Sequence, residues 1–197
     1  TAYLKSNSNG ANSSSSIRVT SFNSDGFTLG SSSDINGNTD TYVGWSWLGG
    51  GSASSNSDGS ITSSVSANTT AGFSIVTYTG TGSAASVGHG LGVKPDIIFS
   101  KLYSTTGDWN VYHDSFSAQE RIKLNSTAAK SSNSSIFASL PTSSVVNIGT
   151  GGDINTSSGT HLFYCFTSKT GYSKFGSYVG NGNADGPFIY TGFKPAF

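Results

Sequence analysis

The sequence predicts an all-β protein, a β-sandwich of jelly-roll type built from two related, duplicated modules. Short apolar or alternating runs recur along the chain and are separated by Gly, Asn, Asp and Ser, which is typical of strands and turns. Helix signals are nearly absent. Twelve Phe, nine Tyr and three Trp supply enough apolar surface for a folded core despite the Ser- and Gly-rich composition.

An internal repeat defines the predicted modules. Asp34-Ile35-Asn36, followed by 41–47, recurs 119 positions later as Asp153-Ile154-Asn155, followed by 160–166. A second pair, 78–82 and 178–182, lies 100 positions apart. The predicted organisation is therefore a second-half copy of the unit, a Gly/Ser-rich linker, one complete unit, and a first-half copy that completes the N-terminal module: 1–48, 49–72, 73–167 and 168–197.

The strands are predicted in chain order from hydrophobic periodicity. An Asp-Gly turn at 25–26 predicts a hairpin between the first two. The predicted strands are 17–22, 27–30, 41–48, 73–79, 96–103, 109–113, 120–125, 135–139, 144–149, 160–167, 173–179 and 187–191. One edge strand is predicted inside the linker at 61–65, and the one helix candidate spans 115–122, with Ser115 as its cap.

Within the predicted strand 160–167, the run 162–166 is apolar on both faces, which favours the middle of a sandwich, covered on two sides. Its copy 41–48 alternates between apolar and small residues and is predicted to be a core strand as well. The side chains expected in the core are Trp45, Trp47, Phe163, Tyr164 and Phe166.

Composition limits the function. Ten basic residues balance ten acidic ones, so the chain lacks the basic surface that nucleic-acid binding needs, and no apolar run is long enough to insert into a membrane. Cys165 is the only cysteine and lies in an apolar strand, which predicts a buried thiol. Methionine is absent and no signal peptide is visible, so we expect a processed product or a fragment of a longer repeat protein.

No catalytic motif is present, and the chain is predicted not to be an enzyme. Nucleophile-elbow, Walker and dinucleotide-binding patterns are missing, and His89, His113 and His161 lack metal-site spacing. The carboxylates Asp108, Asp114 and Glu120 have no defined separation that would make a glycosidase pair.

The acidic stretch that precedes the first copy of the core strand allows two interpretations. Asp34, Asn36, Asn38 and Asp40 place oxygen side chains at alternate positions, as at the start of a calcium-binding loop. The twelfth position of such a loop is Trp45 instead of Glu, and the copy at 153–159 loses the later ligands. The alternative is an Asx-rich turn, with Ca²⁺ the one ion the pattern suits and no other cofactor expected.

A candidate sugar-binding surface is Trp109, Tyr112, His113 and Asp114. Aromatic rings stack on the apolar faces of sugars, and polar tips bond to hydroxyl groups. The same stretch also fits a strand whose rings point into the core.

The segment near the C-terminus is predicted to be an interface. Phe188, Ile189, Phe193 and Phe197 are apolar, and only Lys194 is close enough to blunt an open strand edge. We therefore expect a homo-oligomer, or an adjoining protein of the same assembly, to cover this edge.

Several long phrases resemble a known family, the repetitive β-rich modules of structural proteins from marine tailed phages, which often stand beside lectin-like jelly-roll domains. The matching phrases are 19–27, 41–45, 72–80, 87–92 and 171–178. The resemblance implies a virion surface or extracellular location and a capsid-decoration or tail-fibre role through assembly, with host attachment as a second role. It carries over no catalytic residues. The alternative is a carbohydrate-binding adhesin module that contacts a cell-surface glycan.

Overall fold

The structure is a computed structural model, and it describes residues 1–195. Strands dominate it, and each of its two helices is a single turn. The strands, numbered along the chain, are β1 Ala2–Tyr3, β2 Ser13–Ser14, β3 Val19–Phe22, β4 Phe27–Leu29, β5 Ser54–Asn56, β6 Ser63–Asn68, β7 Phe73–Thr79, β8 Ala85–Gly88, β9 Ile97–Leu102, β10 Asn110–His113, β11 Glu120–Lys123, β12 Ser131–Ser132, β13 Val145–Ile148 and β14 Thr160–Phe166. The helical turns are α1 Ser33–Asn36 and α2 Gly152–Asn155. The all-β prediction is confirmed.

The main sheet has eight antiparallel strands in the order β12-β11-β10-β9-β14-β7-β6-β5. At its centre, β14 pairs with β7 from Thr160↔Thr79 to Phe166↔Phe73 and with β9 along its other edge. Side chains on both faces of a central strand are covered, which explains why 162–166 is apolar on both faces. The central placement of this strand is confirmed.

A second layer makes the fold a sandwich. The β8–β13 pair lies over one face of the main sheet, with Val146 opposite Val87. Both layers contribute to one hydrophobic core, in which Val76, Ile98 and Phe163 of the main sheet are fully enclosed. Tyr78 anchors this core to α2, because its hydroxyl donates a 2.5 Å hydrogen bond to the carbonyl of Ile154.

The linker prediction for 49–72 is wrong in part, because nine of its 24 residues lie in β5 and β6. The strand predicted at 61–65 overlaps β6, which is an inner strand and not an edge strand, and which pairs with β7 from Ser64↔Thr77 to Asn68↔Phe73. Val65 and Ile61 are buried. In this Ser-rich stretch, only these two side chains indicate burial from the sequence. The other residues are held in the sheet by their backbone hydrogen bonds.

The predicted helix at 115–122 does not form. Its second half belongs to β11, where Ile122 pairs with Val111 across the sheet. Gln119 has a positive φ of 69°, which ends any helical path just before that strand. Tertiary pairing has overridden the local helix propensity of Ala118, Gln119 and Glu120.

The terminal segments differ most from the prediction. The β3–β4 hairpin forms around the Asp-Gly turn, as expected. The segments 41–48, 173–179 and 187–191, however, form no regular strand. Trp45 and Trp47 are 59% and 48% exposed, so their predicted burial is wrong, whereas Phe163 is fully buried as predicted.

The repeat is visible locally but not as two whole modules. The helical turns α1 and α2 lie 119 positions apart, like the sequences that form them. In both, an Asn side-chain amide bonds to a glycine carbonyl, Asn36 to Gly30 at 2.8 Å and Asn155 to Gly149 at 2.9 Å. The strand that follows exists only as β14. Duplication of a complete module therefore stays a prediction.

Candidate functional site

The face of the main sheet that points away from the core is unusually aromatic. Because side chains alternate along a strand, Phe73 and Ile75 of β7, Phe99 of β9, and Tyr164 and Phe166 of β14 share this face. The Phe73 and Phe166 rings stack with their centroids 4.6 Å apart. The result is a continuous aromatic floor across three central strands.

The N-terminal segment lies over this floor and forms a groove with it. Trp47 packs edge-on against Phe166 at 5.7 Å and lies 6.5 Å from Phe73. Phe22, Phe27 and Trp45 line the opposite wall. The enclosed space is about 1060 Å³ and lies open to solvent beside the exposed tryptophans.

Trp109 closes one end of the groove. Its ring stacks on Tyr164 at 6.4 Å with an interplanar angle of 16°, and its Nε1 donates a 3.0 Å hydrogen bond to the carbonyl of Lys5. Burial raises the pKa of Tyr164, so its phenol stays protonated at neutral pH. The groove is therefore uncharged at its floor and can contact apolar or ring-shaped ligand surfaces.

The four residues of the predicted sugar site do not form one surface. Trp109 is buried at the groove, whereas Tyr112 points to the opposite face and belongs to the hydrophobic core. His113 and Asp114 lie at the strand end, where Asp114 forms a 2.5 Å ion pair with Lys94. This ion pair lowers the pKa of the Asp114 carboxyl. As a combined sugar site the prediction is wrong, because strand alternation separates its two rings.

The predicted calcium residues build a turn instead. The Asp34 carboxylate pairs with the Arg18 guanidinium, and the Asn36 amide donates to a backbone carbonyl. Tyr42 donates its hydroxyl hydrogen to the carbonyl of Ser33, which closes the same turn. Within residues 1–195, no cluster of three or more His, Cys, Asp or Glu side chains could hold a metal ion. The Asx-rich turn is the interpretation that fits these contacts.

The predicted interface residues are largely accessible. Phe188 is 89% exposed, Ile189 is 46% exposed and Phe193 is partly buried. Phe197 lies outside the described residues. The predicted strand at 187–191 does not form, but the apolar side chains remain at the surface.

Burial changes the pKa of three titratable groups inside the sandwich, His161, His89 and Cys165. Burial lowers the pKa of His161 to about 4, and backbone groups of Thr156 and Asp153 oppose this only in part. His89 is also buried, and its pKa is lowered for the same reason. Burial raises the pKa of the Cys165 thiol to about 12, so this cysteine is an unreactive core side chain.

No helix in the described part of the chain is long and apolar enough to cross a membrane. The geometry thus defines a β-sandwich with an open aromatic groove and exposed apolar terminal segments. Residues 1–197 match a family of the description "domain of unknown function" (DUF7483), and the chain belongs to this family. No curated protein and no solved structure matches the chain.

The sequence did not single out the groove as a site. The one signal in the sequence is that the run 162–166 is apolar on both faces, which requires a cover on each side of the sheet. The core layer covers one face. What covers the other could not be inferred from the strand itself, because Trp45 and Trp47 approach it from more than a hundred residues away.

Proposed function

We propose that the chain is a non-enzymatic structural protein of a phage virion surface and works by assembling with further copies of itself. The observation that carries the proposal is the exposed apolar surface of two terminal segments. Val43 is 77% exposed and Val179 is 88% exposed, and Tyr178 and Tyr190 are exposed in stretches that contain few charged residues. Surfaces of this kind are typical of protein interfaces.

The repeat indicates how the two segments would pair. Segment 41–47 is the sequence copy of β14, and segment 173–179 is the copy of β7. In the main sheet β14 and β7 are antiparallel neighbours, with Phe163 directly opposite Val76. Carried over to the copies, this register places Gly44 opposite Gly176.

Pairing between copies would use the same forces as the main sheet. An added strand forms backbone hydrogen bonds with an open edge and removes its apolar side chains from water. The chain has a net charge of zero, so long-range repulsion between copies is weak. Each copy offers one segment of each type, which generates a head-to-tail, chain-forming contact.

A disulfide between two copies tests this register. Facing residues of antiparallel strands lie within the Cα separation that a disulfide accepts. Gly44 and Gly176 both have room for a side chain, since an added Cβ at Gly44 would meet only the Phe27 ring at 3.6 Å. Mixing Gly44→Cys protein with Gly176→Cys protein under mild oxidation is expected to give a covalent dimer, measured by non-reducing electrophoresis.

The matched control shifts the register by one residue. Gly44→Cys mixed with Ser177→Cys places the two thiols on opposite faces of the strand pair, so little cross-linking is expected. Cys165 adds no background, because its thiol is enclosed in the core. Equal cross-linking of the matched and shifted mixtures would contradict assembly through these segments. A chain that carries both Gly44→Cys and Gly176→Cys and forms only an internal disulfide would contradict it as well.

The virion location is supported by the resemblance of the phrases at 72–80 and 171–178 to phage structural modules. Antibodies raised against the chain should label intact purified particles of the encoding phage. Labelling of host-cell extracts without labelling of the particles would contradict this location. The assembly register would then still be decided by the cysteine cross-linking experiment.

The aromatic groove favours a second function, carbohydrate binding by an adhesin-type module. Trp47 and Trp45 stand exposed above the aromatic floor, and indole rings stack on the apolar faces of sugars. A host-surface glycan bound in the groove would give the assembled protein its attachment role.

Replacing Trp47 with alanine tests this second function. The change removes the ring that contacts Phe73 and Phe166, and we expect at least about a tenfold loss of glycan affinity, equivalent to about 1.4 kcal/mol. The measurement is glycan-array binding followed by titration of the best hit. Tyr190→Ala, which removes an exposed ring outside the groove, is the control and should bind normally. Equal binding by both variants and the parent would rule out the groove.

A further inference from the structure

A second, polar pocket of about 420 Å³ opens at the end of the sandwich, on the core side of the main sheet. Thr105 and Thr106 from the β9–β10 loop form one side, and Ser135 and Thr156 line the other. Arg121 of β11 and Asp153 of α2 carry the two opposite charges that border it. This pocket lies on the opposite face of the sheet from the aromatic groove.

Arg121 is the unusual member of this pocket. Only 8% of the residue is exposed, and the guanidinium bonds through one Nη1 to the side-chain oxygen of Asn110. Its Nε has no hydrogen-bond partner and is enclosed by protein, so a ligand in the pocket reaches the guanidinium through its Nη groups, and Arg121 takes part in none of the ion pairs of residues 1–195. A buried guanidinium is unfavourable unless an anion pairs with it, and Arg121 has only the charge of Asp108, which lies beyond ion-pair distance.

The geometry of a guanidinium favours an oxyanion in that position. Its donors form a rigid fork that matches the two oxygens of a carboxylate. Two carboxylates belong to this region, Asp108, whose charge interacts with Arg121, and Asp153, which lines the pocket, and neither forms an ion pair with Arg121. Asp108 pairs with Lys123 at 2.5 Å, and Asp153 Oδ1 accepts a 3.1 Å hydrogen bond from the Asp108 backbone N–H.

Asp153 restricts the kind of anion that fits. Its carboxylate lines the same pocket and would repel a bare dianion such as sulfate. A ligand that also carries hydroxyl groups can donate one to Asp153 and others to the threonine and serine oxygens around it. The pocket therefore combines one cationic donor with acceptors for neutral hydroxyl hydrogens.

We propose that this pocket binds the acidic unit of a polysaccharide, a sugar that carries a carboxylate. The carboxylate pairs with the Arg121 guanidinium, and a ring hydroxyl donates to Asp153. The volume is in the range of small-ligand sites and accepts a single sugar unit. This site goes beyond the assembly role and is separate from the groove that holds Trp47.

Binding of free glucuronate to the whole chain tests the proposal, with glucose and sulfate as comparison probes. Glucuronate is expected to bind and to raise the midpoint of thermal unfolding, whereas glucose and sulfate at equal ionic strength bind at least about tenfold more weakly. Binding is measured by calorimetric titration and by ¹⁵N–¹H shifts, which map to residues 105–106, 121 and 153. Weak shifts spread over the surface would overturn the proposal.

Four variants distinguish binding in this pocket from binding elsewhere on the protein. Arg121→Gln is expected to weaken glucuronate binding at least about tenfold. Arg121→Lys keeps the positive charge but loses the fork of guanidinium donors, so it should also weaken glucuronate binding. It replaces Arg121→Gln as the test if that variant fails to fold. Lys130→Gln, which removes an exposed charge outside the pocket, should bind like the parent. Asp153→Asn should bind sulfate better than the parent does, because the repelling carboxylate is gone.

Any of three results would overturn the proposal: glucuronate binding that is unchanged in both Arg121 variants, sulfate binding that is as tight as glucuronate binding in the parent, or no glucuronate binding at all. Trp47→Ala should leave glucuronate binding intact. Failure of the groove or of assembly is thereby distinguished from failure of this pocket.

Discussion

Replacing Phe163 with alanine is expected to lower the free energy of unfolding by about 3–5 kcal/mol. Phe163 lies in the middle of the central strand, between Val76 and Ser100, and is completely buried. Its ring packs 4.9 Å from the Tyr78 ring. The strands on both sides are held by backbone hydrogen bonds, so the core cannot collapse into the space that the ring leaves. Urea unfolding followed by fluorescence measures the change.

Phe188→Ala is the matched control for this substitution. The same side chain is removed, but Phe188 is 89% exposed, so the expected change lies within about 0.5 kcal/mol. A loss below about 1 kcal/mol for Phe163→Ala would mean that β14 is not the centre of the sheet.

Lowering the pH from about 7 to about 4.5 is expected to destabilise the protein by about 2 kcal/mol through His161 alone. The imidazole is fully buried against the Tyr78 ring at 5.1 Å, and its pKa is about 4, against 6.5 for an unperturbed histidine. Between these values the unfolded chain binds a proton at this position that the folded chain does not. Stability is therefore complete above the unfolded pKa and is lost as the pH falls toward 4.

Comparing the stability of the parent and His161→Gln at about pH 7, 5.5 and 4.5 isolates this effect. The variant should lose most of the slope, and the remainder has the same sign because burial also lowers the pKa of His89. Ion-paired carboxylates such as Asp114 have lowered pKa values, so their contribution is lost only at lower pH. An unchanged slope in His161→Gln would contradict the burial of this ring.

The sequence predicted the centre of the fold because its signal there is strong. Five successive positions, 162–166, are apolar, and only a strand covered on both sides accommodates them. The Asp-Gly turn likewise predicted the β3–β4 hairpin. In both places, local pattern and tertiary structure require the same conformation.

The errors occur where pairing partners decide the structure. β5 and β6 are rich in Ser, and they are strands because β6 forms hydrogen bonds with β7 and β5 forms them with β6. Segment 41–48 has a better strand pattern than β6, yet it forms no strand. A strand needs an available edge as well as a pattern, and the sequence of one segment does not contain that information.

One of the errors about the candidate sites could have been avoided from the sequence alone. Strand alternation alone puts Trp109 and Tyr112 on opposite faces, so their combination in one sugar site was avoidable. The Arg121 pocket was not predictable. Its residues come from several separate stretches of the chain, and Arg121 has the pattern of an ordinary strand-surface charge until the fold buries it.

The enclosed thiol of Cys165 can report how fast the centre of the main sheet opens spontaneously. In the folded state it is inaccessible and protonated, so a thiol-specific reagent can react only after the central strand separates from its neighbours. The labelling time course at excess reagent then equals the opening rate of the sheet centre. Mass spectrometry can measure this rate inside an assembled particle, where calorimetry would average over every other component.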